Sequence, residues 1–428
     1  MGFVLCLHLV TAQGTWVASD HAELIFTARR LLTARTFDFA PAGQTVPGMR
    51  WLQGEPGQPL RPRLFPGTAF ALLPFVAVDH ALGLDRTPDL GFFVHFSGSL
   101  FVAAALALMG FTLRREGASD RAAIAAILVA GTAWPLWQIS RRGGAEALLA
   151  LLVCGFLLAR SLRSFAGRLC LIIALPWCHP TGSLLAPVLA VSDAVMPGFR
   201  SRRVQTLSLL AAAVSATLSV FVLWNWLYHG NFFGGGYALY GARRAIATLN
   251  PFDVAATYLH TSLLFAPVLV LFALGGALQA GREGLRLFAL PLVLLLLHVT
   301  LFSLYTTPTA IEPARRLAVV WLVFAYAAGR SFDALPLSRL AAFSLVALSM
   351  LNGLYWYRLI EAEFYPWYSA LGEPWNWEPL ILWITWSLEG HPFWHSLVPV
   401  VLLSVAAAIA ALQASRAFLK PRPFDRLG

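Results

Sequence analysis

Acidic and imidazole side chains follow the first apolar segment of the chain. In WVASDHAELIFTARR (16–30), Asp20, His21 and Glu23 lie within four residues of one another, and two arginines close the stretch. A carboxylate at a membrane–water boundary can take a proton from an attacking nucleophile and orient it. The same residues suit a helix start, because Asp20 is a good N-cap and Glu23 completes a capping box. One carboxylate can do both, so the two interpretations are compatible.

A second group of charges, RRGGAE (141–146), lies between two apolar runs. Glu146 opens the second run, where a carboxylate suits the positive end of a helix. Arg141 and Arg142 precede it on the side that we predict to be outside, against the distribution of the other arginines. Outward arginines beside a carboxylate suit a phosphate group. A plain helix start is the alternative for Glu146.

Two later segments carry further cations. The turn CHPTG (178–182) contains His179, which either completes the turn or meets an anion. The segment IEPARR (311–316) brings Arg315 and Arg316 to the start of a late apolar run. These arginines either bind a phosphate through their forked donors or extend to lipid headgroups.

Two polar loops are the remaining candidates. YHGNFFGGGYALYGARRAI (228–246) contains three consecutive glycines. A phosphate-binding loop is excluded there, because no strand precedes the glycines and no Lys-Ser/Thr follows them. The glycines are expected to let the loop bend over a cavity, which Tyr237, Tyr240, Arg243 and Arg244 could line. In the Trp-rich loop 358–393, an interfacial aromatic belt is favoured over a sugar-binding wall.

The composition indicates an integral membrane protein. Hydrophobic residues make up 58% of the chain and charged residues 12%, whereas soluble globular chains are about a quarter charged and under half apolar. Many runs approach the roughly 20 residues that cross a bilayer, and the first is expected to be an uncleaved helix. We predict about twelve spans, at approximately 2–18, 90–113, 121–139, 145–161, 168–178, 182–197, 204–226, 257–278, 286–305, 315–330, 338–357 and 394–416.

The distribution of charge predicts the topology. The formal net charge is +10. Of the 31 lysine and arginine residues, Lys420 is the single lysine and the others are arginine. If both termini lie in the cytoplasm, the Arg-rich loops all face the cytoplasm, in agreement with the positive-inside rule. These loops are 114–121, 160–168, 200–203, 281–286 and 330–339. This placement requires 65–83 to be a helix lying on the outer surface. Since the charges are spread over short loops, a nucleic-acid partner is excluded.

Two local patterns complete the expectations. Leu24, Ala28, Leu31 and Leu32 share one face of a helix over 21–34, which predicts an amphipathic helix on the membrane surface. The four cysteines lack CxxC or Cys/His ligand spacing and lie in or beside apolar runs. We therefore expect buried free thiols, with no disulfide and no structural zinc. The cysteines are Cys6, Cys154, Cys170 and Cys178.

Five motifs, in order, resemble the GT-C membrane glycosyltransferases. The first is Asp20 with its surface helix, followed by RLFPGTAFALLPFVAV. The others are GTAWPLWQISRRGGAEALLALLVCGFLLAR, LPWCHPTGSLLAPVLAV, WNWLYHGNFFGGGY and TPTAIEPARRLAVVW. Within the superfamily, the chain most resembles the bacterial enzymes that use polyprenyl-phosphate sugars, near the protein O-mannosyl and lipid A aminoarabinose transferases. The resemblance covers about residues 1–330.

The resemblance implies an all-α, GT-C-like membrane fold and an activity. Residues 1–330 would form the catalytic module, including outer loop 19–89, and 331–428 a C-terminal part with loop 358–393. The implied enzyme is an inverting hexosyl- or pentosyltransferase in the bacterial inner membrane, with its active site facing outward. It would move a sugar from a polyprenyl-phosphate donor to a glycan, lipid or protein acceptor.

The resemblance also implies roles for individual residues. Asp20 would be the catalytic base, and Glu146 would position the acceptor or share a divalent metal with Asp20, the one cofactor considered. His179 stands where relatives carry Arg or Lys, which weakens phosphate binding near neutral pH. The implied phosphate-binding set is Arg315, Arg316, His179, Arg141 and Arg142. The implied pocket residues are His21, Glu23, Tyr237 and Arg243.

Two other functions stay open. A multi-pass transporter would suit the number of spans, but its ionisable residues would lie near the bilayer centre and its sequence would often show a repeat. Here the ionisable residues gather at one face, and no repeat is visible. A relative that binds a polyprenyl lipid without catalysis is the second alternative.

Overall fold

The structure, a computed structural model, consists of helices joined by turns and irregular segments in the residues it describes. Among these residues there is no strand, which confirms the all-α prediction for this part of the chain. The described residues are 1–10, 19–39, 61–62, 64–84, 91–142, 144–195, 203–230, 266–279, 281–305, 317–334, 343–344 and 346–354. The predicted span 394–416 and the Trp-rich loop lie outside them.

Thirteen α-helices with their own limits lie in the described residues. They are α1 (Gly2–Val10), α2 (Ser19–Ala34), α3 (Pro66–Ala81), α4 (Ser97–Arg115), α5 (Asp120–Thr132), α6 (Trp134–Arg142), α7 (Ala145–Ser161), α8 (Phe165–Cys178), α9 (Gly182–Val195), α10 (Arg203–Ser219), α11 (Pro267–Gln279), α12 (Gly281–Tyr305) and α13 (Ala318–Ser331). A 3-10 helix at Phe93–Phe96 precedes α4, and a π-helix at Val220–Tyr228 continues α10.

Local sequence explains several helix boundaries. Ser119 Oγ accepts a hydrogen bond from the Ala122 N–H at 3.2 Å, and Ser164 Oγ accepts one from Gly167 at 3.1 Å, so both serines are N-caps. The predicted single segment 121–139 is divided into α5 and α6 at Ala133, which has extended backbone angles. Pro135 explains the division, since proline is tolerated in the first turn of a helix but not in its interior.

In the part of the chain that the structure describes, two helices are long and apolar enough to cross a membrane by length and composition. They are Phe93–Arg115, with 23 residues, and Arg203–Tyr228, with 26. Among the described residues the shorter apolar helices are Phe165–Cys178, Gly182–Asp193, Gly284–Val299 and Ala318–Ser331. The predicted count of about twelve spans is therefore not confirmed.

The main core surrounds α13. This helix is buried on all sides from Ala318 to Ala328, including Trp321 and Phe324, as expected of a helix inside a bundle. It crosses α4 closely at Gly329, where an added Cβ would lie 2.6 Å from Leu113 Cδ1. A side chain at position 329 would therefore require Leu113 to move.

A second core joins α2 to α3 through apolar side chains of both helices, with Leu24, Ile25 and Ala28 from α2 and Ala69, Leu72 and Val76 from α3. The helix predicted at 65–83 is present as α3, and its place on the outer surface stays a prediction. The predicted apolar face of α2 is wrong at Leu32, which is exposed near the end of the helix. Ile25 takes the place expected for Leu32.

The cysteines match the prediction in part. All four thiols are free, as expected. Cys154 and Cys178 are buried, but Cys6 and Cys170 are exposed. The expectation of burial is wrong for these two, because apolar runs place them on the outer surfaces of α1 and α8 rather than at helix contacts.

Candidate functional site

Helices α4, α7 and α9 point in the same direction and end together. Arg160, near the end of α7, has its Nη1 3.7 Å from Glu116 Oε1, directly after α4. Its Nε lies 3.8 Å from Asp193 Oδ1, near the end of α9. We call this the ion-pair end of the bundle, defined by Glu116, Arg160, Arg168, Asp193 and Arg330.

The starts of the same helices therefore lie together at the opposite end. The helix α4 has 19 residues, so at about 1.5 Å per residue it separates the two ends by about 28 Å. His95 precedes α4, Glu146 lies in the first turn of α7, and His179 precedes α9. We call this the histidine end, defined by His21, His95 and His179.

The start of α2 belongs to the histidine end. The helix begins at Ser19, so Asp20 lies in its first turn, while the side chain of Asp20 is outside the described residues. Glu23 is fully buried, and its Oε1 accepts a hydrogen bond from the Leu64 N–H at 2.9 Å. This oxygen thus ties α2 to the residues before α3, a role that the capping-box prediction did not include. Thr27 Oγ1 donates to the Glu23 carbonyl at 2.7 Å.

His21 is a buried imidazole beside this anchor. Its side chain is 4% exposed, and neither ring nitrogen has a hydrogen-bond partner among the described residues. Its ring meets that of His95 edge to face, with 5.9 Å between the centroids. Burial, and secondarily the nearby His95, lowers the pKa of His21 to about 3. His21 is therefore neutral at physiological pH, with one donor and one acceptor nitrogen.

Asp79 positions the segment that carries His95. Its buried carboxylate accepts hydrogen bonds at Oδ1 from the Phe92 and Phe93 N–H groups, at 3.0 and 2.8 Å, and at Oδ2 from Val94 at 3.0 Å. Gly91 is required beside it, because its φ is +129° and an added Cβ would lie 2.5 Å from Asp79 Oδ2. No sequence motif identified Asp79 or His95 as a site residue.

The turn between α6 and α7 meets the same end. Ser99 Oγ donates to the Ser140 carbonyl at 3.0 Å, which joins the start of α4 to the last turn of α6. Arg141 and Arg142 end α6, with side chains outside the described residues. Glu146 is buried in the first turn of α7. The structure thus brings the backbones that carry these three residues to the end that holds α2.

His179 completes its own turn. Its Nδ1 accepts a hydrogen bond from the Thr181 N–H at 3.2 Å and lies 2.8 Å from Thr181 Oγ1. An Nδ1 that accepts from an N–H leaves the proton on Nε2, which describes a neutral imidazole. Thr68 Oγ1, at the start of α3, donates to the Cys178 carbonyl at 3.1 Å. The turn therefore lies against α3, and the geometry favours the structural interpretation of His179.

Asp38, Arg61 and Tyr228 meet at the end of the π-helix. Tyr228 Oη donates to Asp38 Oδ1 at 2.9 Å, and the guanidinium of Arg61 lies 4.6 Å from the centre of the Tyr228 ring. Asp38 and Arg61 flank residues 40–60, and Tyr228 lies just before 231–265. The cluster thus joins the described residues after α2, the residues before α3 and the end of the π-helix.

Four predicted site residues lie outside the described residues. They are Tyr237, Arg243, Arg315 and Arg316, and α13 begins just after the last of them. Within the described ranges, no group of three or more His, Cys, Asp or Glu side chains could hold a metal ion. A metal shared by Asp20 and Glu146 remains a prediction.

The ion-pair end contains a network that the sequence analysis did not find. Arg168 and Asp193 are fully buried and joined by an ion pair. Arg330 Nε lies 3.2 Å from Glu116 Oε2, to which Tyr326 donates at 2.5 Å. The arginines of loop 160–168 were predicted only to mark a cytoplasmic loop, not to form buried ion pairs. The sequence did contain one sign of this network. Asp193 lies inside the apolar run of α9, and a carboxylate in such a run needs a charged partner.

Comparisons with known proteins support the fold. No family model and no curated protein matches the chain. The crystal structure of apo ArnT from Cupriavidus metallidurans is similar with a TM-score of 0.54 and 14% identity, over 96% of this chain and 72% of ArnT. The structure of ArnT bound to undecaprenyl phosphate has a TM-score of 0.55 and 14% identity, over 97% and 71%. The GT-C resemblance that the motifs predicted is thereby confirmed at the level of the fold.

Proposed function

We propose that the chain is an inverting glycosyltransferase that moves a sugar from a polyprenyl-phosphate donor to a glycan, lipid or protein acceptor. The observation that carries this proposal is the likeness of nearly the whole chain to ArnT, including the structure that holds undecaprenyl phosphate. Since a fold hosts many functions, the proposal depends equally on the residues gathered at the histidine end.

The proposed reaction is a single displacement at the anomeric carbon. An acceptor hydroxyl or amine forms the new bond to this carbon as the bond to the phosphate oxygen breaks. Asp20 takes the proton of the nucleophile, and the lipid phosphate leaves as a stable anion. No strong general acid is needed for such a leaving group. A positioned base of this kind contributes about 10²–10⁴-fold to the rate.

The described contacts would hold Asp20 in a defined place. His21 and Glu23 follow it in α2 and are both buried, and Glu23 is bonded to Leu64. A base on a helix anchored by its immediate neighbours has little freedom to leave the productive geometry. Glu146, at the start of α7, is the second carboxylate that we assign to acceptor positioning.

Arginines would receive the phosphate of the donor. Arg141 and Arg142 end α6 at the histidine end, and Arg315 and Arg316 directly precede the described start of α13. Forked guanidinium donors match phosphate oxygens. His179 is a weaker candidate, because its Nδ1 is used by Thr181.

We further infer a location in the bacterial inner membrane, with many spans and both termini in the cytoplasm. The histidine end then faces outward and the ion-pair end faces the cytoplasm. The apolar composition and the Arg-rich loops at one side support this orientation.

Sugar transfer by the purified chain in nanodiscs tests the proposal, with a panel of polyprenyl-phosphate sugars as donors. Asp20→Asn is expected to lower kcat by about 100-fold or more, with binding of undecaprenyl phosphate unchanged. Asp120→Asn is the matched control, since this exposed aspartate starts α5 at the ion-pair end. Transfer that survives Asp20→Asn would move the base elsewhere. Lipid binding without any transfer would favour the non-catalytic alternative.

A further inference from the structure

We propose that the pair formed by His21 and His95 binds an uncharged hydroxyl group of the donor sugar. The proposal rests on the proposed transferase function and deepens it, because it names the chemical class of the group recognised at the histidine end. The observations that carry it are the contact between the two rings, the burial of both, and the unused nitrogens of His21.

The imidazole of His21 lacks the partners that a purely structural histidine would have. Buried polar atoms in folded proteins are nearly always hydrogen-bonded, and those without partners are unfavourable. Both ring nitrogens of His21 are without a partner among the described residues. By contrast, the buried His8 of α1 contacts the Gly131 carbonyl through Nε2 at 2.8 Å, as a core histidine normally does. His21 is therefore arranged for a group that arrives from outside the chain.

The hydrogen-bonding chemistry of a neutral imidazole determines which ligand group His21 can bind. One nitrogen donates and the other accepts, so its complement must also be able to donate and accept. A hydroxyl meets both requirements. A phosphate or carboxylate only accepts and an ammonium only donates, so either leaves one nitrogen of His21 unmatched. The pair is thus suited to a hydroxylated, uncharged sugar rather than to the phosphate of the donor.

The position of His21 points to the sugar rather than to the lipid. His21 directly follows Asp20, which in the proposed reaction must reach the nucleophile at the anomeric carbon. The hydroxyls of the donor sugar are the uncharged polar groups nearest to that carbon. Asp20 and His21 share the first turn of α2, so a sugar held near Asp20 lies at the helix end that carries His21.

His95 acts as the positioning residue of the pair. Asp79 holds its segment through three backbone hydrogen bonds, and Gly91 allows the carboxylate to approach. The ring of His95 is buried and meets His21 at an interplanar angle of 62°. This arrangement restricts the rotation of His21 and fixes where its nitrogens are presented.

Equilibrium binding by the full chain in nanodiscs tests the proposal. The probes are undecaprenyl phosphate and the same lipid carrying a neutral sugar, the better bound of glucose, mannose and arabinose. His21→Phe removes both nitrogens, and His21→Asn retains one donor and one acceptor. His80→Phe is the matched control, because His80 is exposed on α3, next to Asp79. Thermal unfolding of each variant checks that it is folded.

The substitution of His21 is expected to change the affinity for one of the two lipids and not for the other. His21→Phe should weaken binding of the sugar-bearing lipid by about fivefold to tenfold, the effect of losing one or two hydrogen bonds, and leave undecaprenyl phosphate unaffected. His21→Asn should restore part of the loss, and His80→Phe should change neither affinity. Equal affinities of His21→Phe and wild type for the sugar-bearing lipid would overturn the inference and leave the transferase proposal intact. Failure of the wild type to bind either lipid would overturn both.

Discussion

The two ends of the bundle treat their ionisable residues in opposite ways. At the ion-pair end, three arginines meet two carboxylates within the protein, and the Arg168–Asp193 pair is fully buried. At the histidine end, the buried carboxylates of Glu23 and Asp79 bind backbone N–H groups, and the nitrogens of His21 have no partner among the described residues. At the first end, opposite charges within the protein meet and join the helix ends. The second retains capacity for a ligand.

Breaking the buried ion pair should have the largest effect on stability. Asp193→Ala leaves Arg168 buried without its partner, which typically costs about 3–5 kcal/mol. The midpoint of thermal unfolding in detergent should fall sharply. Arg114→Gln, in the exposed pair with Asp120 at 2.7 Å, should cost less than about 1 kcal/mol. Equal effects of the two changes would contradict the distinction between a structural network and ordinary surface pairs.

Asp79→Asn should have the next largest effect, confined to the histidine end. The amide keeps one acceptor oxygen and points an NH₂ group at backbone N–H donors, so the loss should be about 2–3 kcal/mol. Hydrogen exchange should become faster at Phe92, Phe93 and Val94, whose N–H groups Asp79 binds. Asp333→Asn, at the ion-pair end, should leave exchange at these amides unchanged. Slow exchange in the Asp79 variant would mean that the turn holds without its carboxylate.

The stability of the histidine end should depend on pH through His21. The folded chain holds the pKa of His21 at about 3, against 6.5 for an ordinary histidine. The unfolded chain therefore binds more protons between these values, and stability falls as the pH drops below 6.5. At pH 5 the loss is about 2 kcal/mol. The difference in unfolding midpoint between pH 7 and pH 5 should shrink in His21→Asn, and an unchanged difference would show that His21 is not the responsible group.

Removal of a helix cap at the ion-pair end should have the smallest effect. Ser119 Oγ accepts from the Ala122 N–H and donates to Asp333 Oδ1 at 2.5 Å. Ser119→Ala should lower the free energy of unfolding by about 1 kcal/mol, as the loss of an N-cap does. Donor binding at the opposite end should be unchanged. A change in binding would show that the two ends are coupled.

Local sequence predicted much of the helical framework but fewer of the contacts in the site. The turn at His179 was expected between two short helices, and the structure has α8 and α9 on either side of it. Asp79 was visible only as a carboxylate in an apolar run. Its partners at residues 92–94 depend on how α3 packs before α4, which no local pattern contains. His95 had no neighbouring polar residue to single it out.

The sequence alone determined the all-helical class, the apolar composition and most helix limits in the described ranges. These properties follow from side-chain hydropathy, proline positions and caps, which act within a few residues. The tertiary structure decided that Glu23 binds Leu64, 41 residues away, that His21 meets His95, and that Arg160 lies between two carboxylates. Such partners are set by which helices pack together and in which direction, because buried charges and polar atoms must find complements across helix contacts.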